Sequence, residues 1–254
     1  MSSAPAFSSL LSYELATQEI LLGSHRLQIQ AIRDMNKTID DLFTLLEKEG
    51  TPGLLEKLCP YFGVIWPSAR ALAGHIAALP ENRLRGKQVL ELGCGLAIPS
   101  LVAASRGAYA VATDFHPEVP RFLARNVQLN AVQGLTYIES DWMRTPSSLG
   151  SESLESDSLE SDPLARDAPY DLIIASDILY ERTYPGPVAR ALTRHAGPNT
   201  SILLADPGRP YLQEFADEMK NLGFEVETTI ARSSGTDSSE IFMLLFSSGA
   251  ASVR

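Results

Sequence analysis

QVLELGCGLAIPSL, Gln88 to Leu101, decides how the chain is read. A short aliphatic run ends at Glu91 and Leu92, two glycines follow two places apart, and an apolar helix-like segment begins at Ile98. Strand, tight turn and helix in that order are the elements of a nucleotide-binding corner. A dinucleotide fingerprint needs Gly or Ala at its sixth place, and here that place is Ile98. Pro99 also lacks the backbone N–H that a pyrophosphate would seek at a helix start. The turn therefore suits a cofactor without phosphate. With a period of two it reads Glu91-x-Gly93-x-Gly95-x-Ala97, an acid followed by glycines that let the backbone approach a ligand. S-adenosylmethionine meets these needs, because its amino group is cationic and its adenosine carries no phosphate. Ala97 stands where a third glycine is commoner.

Outward from this turn, aliphatic runs at 87–92, 108–114, 135–140, 170–177 and 201–206 read as strands. Each ends in an acid or polar residue at the edge where ligands bind in a doubly wound sheet. Stretches at 99–107, 119–130, 185–197 and 210–223 read as helices, several with proline in the first turn and glycine at the end. FEVETTIAR (224–232) and SEIFMLLFSS (239–248) then form two strands around a turn-rich link. The expected fold is α/β, a seven-stranded doubly wound Rossmann-like sheet that closes in an antiparallel hairpin. Ahead of it, 68–79 and 37–50 read as helices and 25–32 as a strand, while residues 1–20 carry no clear pattern. The expected division is an N-terminal extension, 1–60, and a cofactor-binding domain, 61–254.

Net charge is -10, and five of the acids (Glu152, Glu155, Asp157, Glu160, Asp162) crowd one tract that repeats SLESD. This tract belongs to a low-complexity acidic insert at 145–169, expected to be a solvated loop. No Lys/Arg-rich stripe is present, so no nucleic-acid partner is expected. Two cysteines, Cys59 and Cys94, make no disulfide framework, and no Cys/His spacing suits a metal. The first basic residue is Arg26, and no apolar run is long enough for a membrane anchor. The expected compartment is the cytoplasm, with no membrane contact.

Acids recur at the strand ends. Asp114 closes the second strand 23 residues after Glu91, where a carboxylate can accept both ribose hydroxyls. Asp141 follows the third strand and is placed for the adenine amino group, with Trp142 beside it. Phe115, after Asp114, and Ser176, at the end of the fourth strand, border the same cofactor edge. His116 is a loop residue near the ribose, and Cys94 a small packing residue.

With these motifs on the page the chain resembles the class I S-adenosylmethionine-dependent methyltransferases over roughly residues 61–247. VIWPSARALA (64–73), LELGCGLAIPS (90–100), SDILYE (176–181) and ADPGRP (205–210) are similar to the methyltransferase family 16 branch. Within it they look most like lysine methyltransferases acting on the electron-transfer flavoprotein β-subunit and bacterial relatives labelled nicotinamide N-methylase-like. The resemblance implies methyl transfer to a lysine of a protein partner, with a small amine as the alternative acceptor. Nucleic-acid methylation and a non-catalytic binding module rank lower. It also implies that Asp177 and Tyr180 form an Asp-x-x-Tyr pair, aligning the acceptor and shaping its channel. Trp66-Pro67 would close over the cofactor. Asp206 would hold the amine, and Arg209 would bind an acid or pair within its own turn. Residues 1–60 are expected over the cofactor mouth.

Overall fold

A computed structural model describes residues 13–142, 164, 168–232 and 239–248. Seven strands form one sheet: β3 (Gln88–Leu92), β4 (Tyr109–Asp114), β5 (Leu135–Glu139), β6 (Tyr170–Ser176), β7 (Ala196–Asp206), β8 (Phe224–Arg232) and β9 (Glu240–Ser248). Their order is β5-β4-β3-β6-β7-β9-β8. The first five run parallel, and β9 pairs antiparallel with both β7 and β8. Strand order reverses between β3 and β6, the switch point where ligands of doubly wound sheets bind.

The two faces of the sheet bury alternate residues, as a period of two requires. Val89, Ile174, Leu203 and Met243 pack with α3 (Pro67–Ala78), α4 (Ile98–Ser105) and α5 (Val119–Asn130) through Leu72, Leu101 and Phe122. Leu90, Ile173, Leu204 and Leu244 pack with α6 (Pro185–Arg194) and α7 (Leu212–Asn221) through Leu192 and Phe215. Strands buried on both sides read as continuous apolar runs, which is why VLEL and LIIAS lack an alternating pattern. The expected helix at 185–197 stops at Arg194, because β7 begins at Ala196, which pairs with Tyr170.

The unassigned N-terminal stretch contains a strand. β1 (Leu15–Leu22) pairs antiparallel with β2 (His25–Ile32) around Gly23, which has a positive φ of 61°. Ile20, Leu22, Leu27 and Ile29 join the α3–α5 side of the main core, so the extension and the domain share one core. The outer edge of β2 is sealed by two asparagines one helical turn apart on α5. Asn126 Oδ1 accepts from Gln30 N and Asn130 Oδ1 from Gln28 N, each at 2.8 Å, and their amides donate back to the same residues' carbonyls. The side chains stand in for a neighbouring strand. After the hairpin come α1 (Met35–Lys48), capped by Asp34, then the single turn α2 (Leu55–Leu58) and a 3-10 turn at Tyr61–Gly63. The acidic insert lies outside the described residues except at Leu164, Ala168 and Pro169. No helix among the described residues is long and apolar enough to cross a membrane.

Candidate active site

The glycine turn is strained, enclosed and already hydrogen-bonded. Gly93, Gly95 and Ala97 have positive φ of 64°, 51° and 55°. A Cβ on Gly93 would stand 2.7 Å from Ile178 Cγ2, and one on Gly95 2.9 Å from the Phe62 carbonyl. Both glycines are thus required by backbone conformation and by close approach. Ala97 occupies the left-handed region as the residue before α4, so it carries backbone strain as well as its extra methyl.

Glu91 does not face open space. It is 1% exposed, and its Oε2 accepts from Ser100 N at 3.0 Å, tying β3 to the first turn of α4. Burial pushes its carboxyl up to about 8. Pro99 has no N–H, Ser100 N is used by Glu91 and Leu101 N by the Ala97 carbonyl. The helix start therefore offers few free donors of the kind a pyrophosphate would seek.

Asp114, buried at the end of β4, accepts from Gly95 N at 2.9 Å on one oxygen and from His116 N at 3.0 Å on the other. Phe115 N is a further backbone donor to this carboxylate, whose four lone-pair sites still leave room for a hydroxyl donor. Burial raises the carboxyl. Asp114 thereby links the ends of the adjacent strands β3 and β4. His116 is buried, and desolvation lowers its imidazole to about 4, so it is neutral at ordinary pH. Its Nε2 lies 3.2 Å from the Leu58 carbonyl, and the Phe62 ring stacks on it with centroids 4.2 Å apart. Cys94 is buried in the turn and its thiol is pushed up by that burial, which makes it unreactive.

Residues 58–66 thus lie over the turn and the loop after β4. Trp66 Nε1 donates to the Tyr61 carbonyl at 2.9 Å, fixing this cover just before α3. The β1–β2 hairpin docks instead on α5, through Gln28 and Gln30. The expectation that all of 1–60 covers the mouth is corrected for the hairpin, whose apolar face is better buried against α3 and α5.

On the other side of the switch point, an aromatic file runs inward from the surface. Tyr180 is 44% exposed, its ring lies 4.9 Å from that of Tyr184, and Tyr184 meets the buried Trp142 edge-on at 5.0 Å. Trp142 Nε1 is 3.8 Å from where a Gly93 Cβ would be, so the file ends at the glycine turn. Burial raises the Tyr180 phenol, keeping it protonated. Tyr184 was not among the residues expected from the sequence; the Tyr-x-x-x-Tyr spacing into α6 was the available signal. Phe115 is half-buried beside Asp114, Asp141 is exposed after β5, and Ser176 is buried where β6 pairs with β7.

Asp177 follows Ser176 with a positive φ of 60° and donates its N–H to the Ala205 carbonyl at 3.0 Å. Its Oδ1 pairs with Arg209 Nη2 at 2.5 Å, while its Oδ2 is buried without a hydrogen-bond partner. Asp206 is 0% exposed and fully engaged. Its Oδ1 accepts from Gly208 N and Arg209 N at 2.8 and 2.7 Å, and its Oδ2 from Arg209 Nη1 at 3.0 Å. It anchors the turn, and its complete burial beneath Arg209 leaves it no exposed face.

A family model described as lysine methyltransferase matches residues 60–221. The chain belongs to the lysine methyltransferase family. Its sequence is similar to the electron transfer flavoprotein beta subunit lysine methyltransferase of Danio rerio, 27% identical over 61% of this chain and 53% of the relative. It is also similar to the calmodulin-lysine N-methyltransferase of Arabidopsis thaliana, 29% identical over 62% of this chain and 49% of the relative. The chain spans about half the length of the curated relatives it matches. In fold it is similar to the magnesium protoporphyrin IX methyltransferase of Synechocystis PCC 6803 with bound SAH, with TM-score 0.54 and 15% identity over 85% of this chain and 100% of that one. This family member therefore has the S-adenosylmethionine-dependent methyltransferase fold, and S-adenosylmethionine is the cofactor its glycine turn fits.

Proposed function

We propose that the protein transfers a methyl group from S-adenosylmethionine to a lysine side chain of a protein substrate. The observation that carries this reading is the unpartnered Oδ2 of Asp177, a buried acceptor at the end of β6. A buried carboxylate oxygen without a donor is costly, and an amine N–H is the partner that would relieve it.

Gly93 and Gly95 admit the cofactor to the turn, and Asp114 takes its ribose hydroxyls. Asp141 and Trp142 would take the adenine, Phe115 and Ser176 would border the cofactor edge, and Trp66 would close the opening. Glu91 acts at one remove by holding the turn to α4. When bound, the cofactor would supply an electrophilic sulfonium methyl, whose C–S electron pair would return to sulfur as the acceptor nitrogen takes the methyl. Asp177 accepts an N–H of the incoming amine and so points its lone pair, and Tyr180 and Tyr184 line the approach and exclude water. The proton lost by the ammonium passes to Asp177 and from there to solvent. The names of the relatives support a protein acceptor. The free thiols Cys59 and Cys94 support a reducing, cytoplasmic compartment.

The test incubates methyl-labelled S-adenosylmethionine with cell extract and either the wild type or Asp177→Ala. A discrete protease-sensitive band, yielding methyl-lysine on hydrolysis and falling about a hundredfold in the variant, is expected. Label confined to small molecules or to nuclease-sensitive material would sink the lysine reading.

A further inference from the structure

We propose that Arg209 is a positioning residue: it occupies one oxygen of Asp177 so that the other is reserved, in fixed orientation, for a cationic amine. This rests on the function proposed above and adds to it the charge of the acceptor.

β6 and β7 end side by side, with Ser176 paired to Ala205, so Asp177 and Asp206 emerge as neighbours. Two like charges so close and so little exposed, 10% and 0% of their side chains, need a counterion. Arg209 supplies it from the turn after β7, one arm of its guanidinium to each carboxylate. A planar fork can span two acids at once where an ammonium would act as a point charge. Although burial disfavours its charge, the Asp177 and Asp206 carboxylates hold Arg209 firmly protonated.

The fork is aimed by its own turn. Gly208 has φ of 87°, and a Cβ there would stand 2.7 Å from Cε2 of Phe242 on β9. Asp206 Oδ1 takes both N–H groups of that turn, so the guanidinium leaves the backbone in one direction.

Two carboxylates and one guanidinium leave one negative charge over. Among the described residues, Asp177 Oδ2 is the one buried carboxylate oxygen without a donor. The excess charge and the open lone pairs therefore coincide at one atom, which calls for a partner that is both cationic and an N–H donor. An alkylammonium, as on lysine, satisfies both demands. A pyridine nitrogen satisfies neither.

The test is a double-mutant cycle on methyl transfer to the protein fraction of the extract, diluted in series to separate kcat from KM. The proteins are the wild type, Arg209→Gln, Asp177→Asn and the double variant, with Arg209→Lys as the conservative replacement. Calorimetric binding of S-adenosylmethionine by each variant is the readout independent of turnover. If Arg209 acts through Asp177, Arg209→Gln lowers kcat/KM by about thirtyfold alone but by less than about threefold when Asp177 is already Asn. Arg209→Lys recovers part of the loss, and cofactor affinity stays within about twofold throughout. Equal losses in both backgrounds, or no loss from Arg209→Gln, overturn the proposal. So does a drop in cofactor affinity that matches the drop in turnover, which would assign the open oxygen to the cofactor. Label that goes to a pyridine-type small molecule sinks the lysine reading itself, whereas additive losses with methyl-lysine still formed sink only the role of Arg209.

Discussion

At β3 and β4 the acids are enclosed by the protein's own backbone, whereas at β6 a carboxylate oxygen is left open. Glu91 accepts from Ser100 N and Asp114 from Gly95 and His116, so the first half of the strand edge is held in place before any ligand arrives. Asp177 is held by Arg209 on one oxygen and by nothing on the other. The difference separates two tasks. The cofactor needs a rigid seat, made by backbone N–H groups and positive-φ glycines, while the acceptor needs an unmet hydrogen-bonding site that favours it on entry.

Paired glycine substitutions are the strongest attack on this division. Gly95→Ala forces a side chain onto the Phe62 carbonyl at positive φ, with a folding cost of about 1–2 kcal/mol from the backbone alone. Calorimetry should show cofactor affinity down more than about tenfold, a loss of about 1.4 kcal/mol. Gly208→Ala pushes on the Phe242 ring and should leave cofactor affinity within about twofold while turnover falls about tenfold, equivalent to about 1.4 kcal/mol in the barrier. If both variants lose cofactor binding alike, the two halves do not act separately.

Glu91 offers a subtler measurement, with a definite sign. Its carboxyl keeps its proton to about pH 8 in the fold, against an ordinary value of 4.5. Between those values the folded state binds the extra proton, so stability without cofactor falls as pH rises, by up to about 1.4 kcal/mol per pH unit, and levels off above the window. Denaturant titrations of Glu91→Gln should lack this slope. An identical slope in the variant would mean that the carboxylate is solvated. The smallest effect is expected from Ala97→Gly, which relieves the left-handed strain and should raise stability by about 0.5–1 kcal/mol after the entropy that glycine adds to the unfolded chain. A loss of stability would show that the Ala97 methyl contributes packing that outweighs its strain.

Much of the cofactor side was legible because its signals are local. Glycine spacing, a proline at the helix start and an acid closing each apolar run all follow from consecutive backbone conformations. The closing hairpin was legible for the same reason, as FEVETTIAR and EIFMLLFSS carry strand patterning and only a short turn-rich stretch of sequence separates them. The acceptor side was harder to read. Asp177 and Arg209 are 32 positions apart in the sequence, and their pairing depends on β6 and β7 ending together. Asp206 looked like an equal candidate for the amine, and its complete burial and its three donors within the turn are what distinguish it from Asp177. Glu91 looked like a ligand-facing acid until its burial against α4 was seen.

The sequence by itself determined the alternation of strands and helices, the strand ends where acids collect, and a turn that departs from the dinucleotide fingerprint at Ile98 and Pro99. These depend on side-chain periodicity and on which residues tolerate a positive φ. Tertiary structure alone decided that β1 completes a hairpin locked to α5 by Asn126 and Asn130, and that residues 58–66 cover the glycine turn. It also decided which acid remains open. A carboxylate's availability depends on the donors that other strands and turns bring to it, and no local pattern along the chain encodes that count.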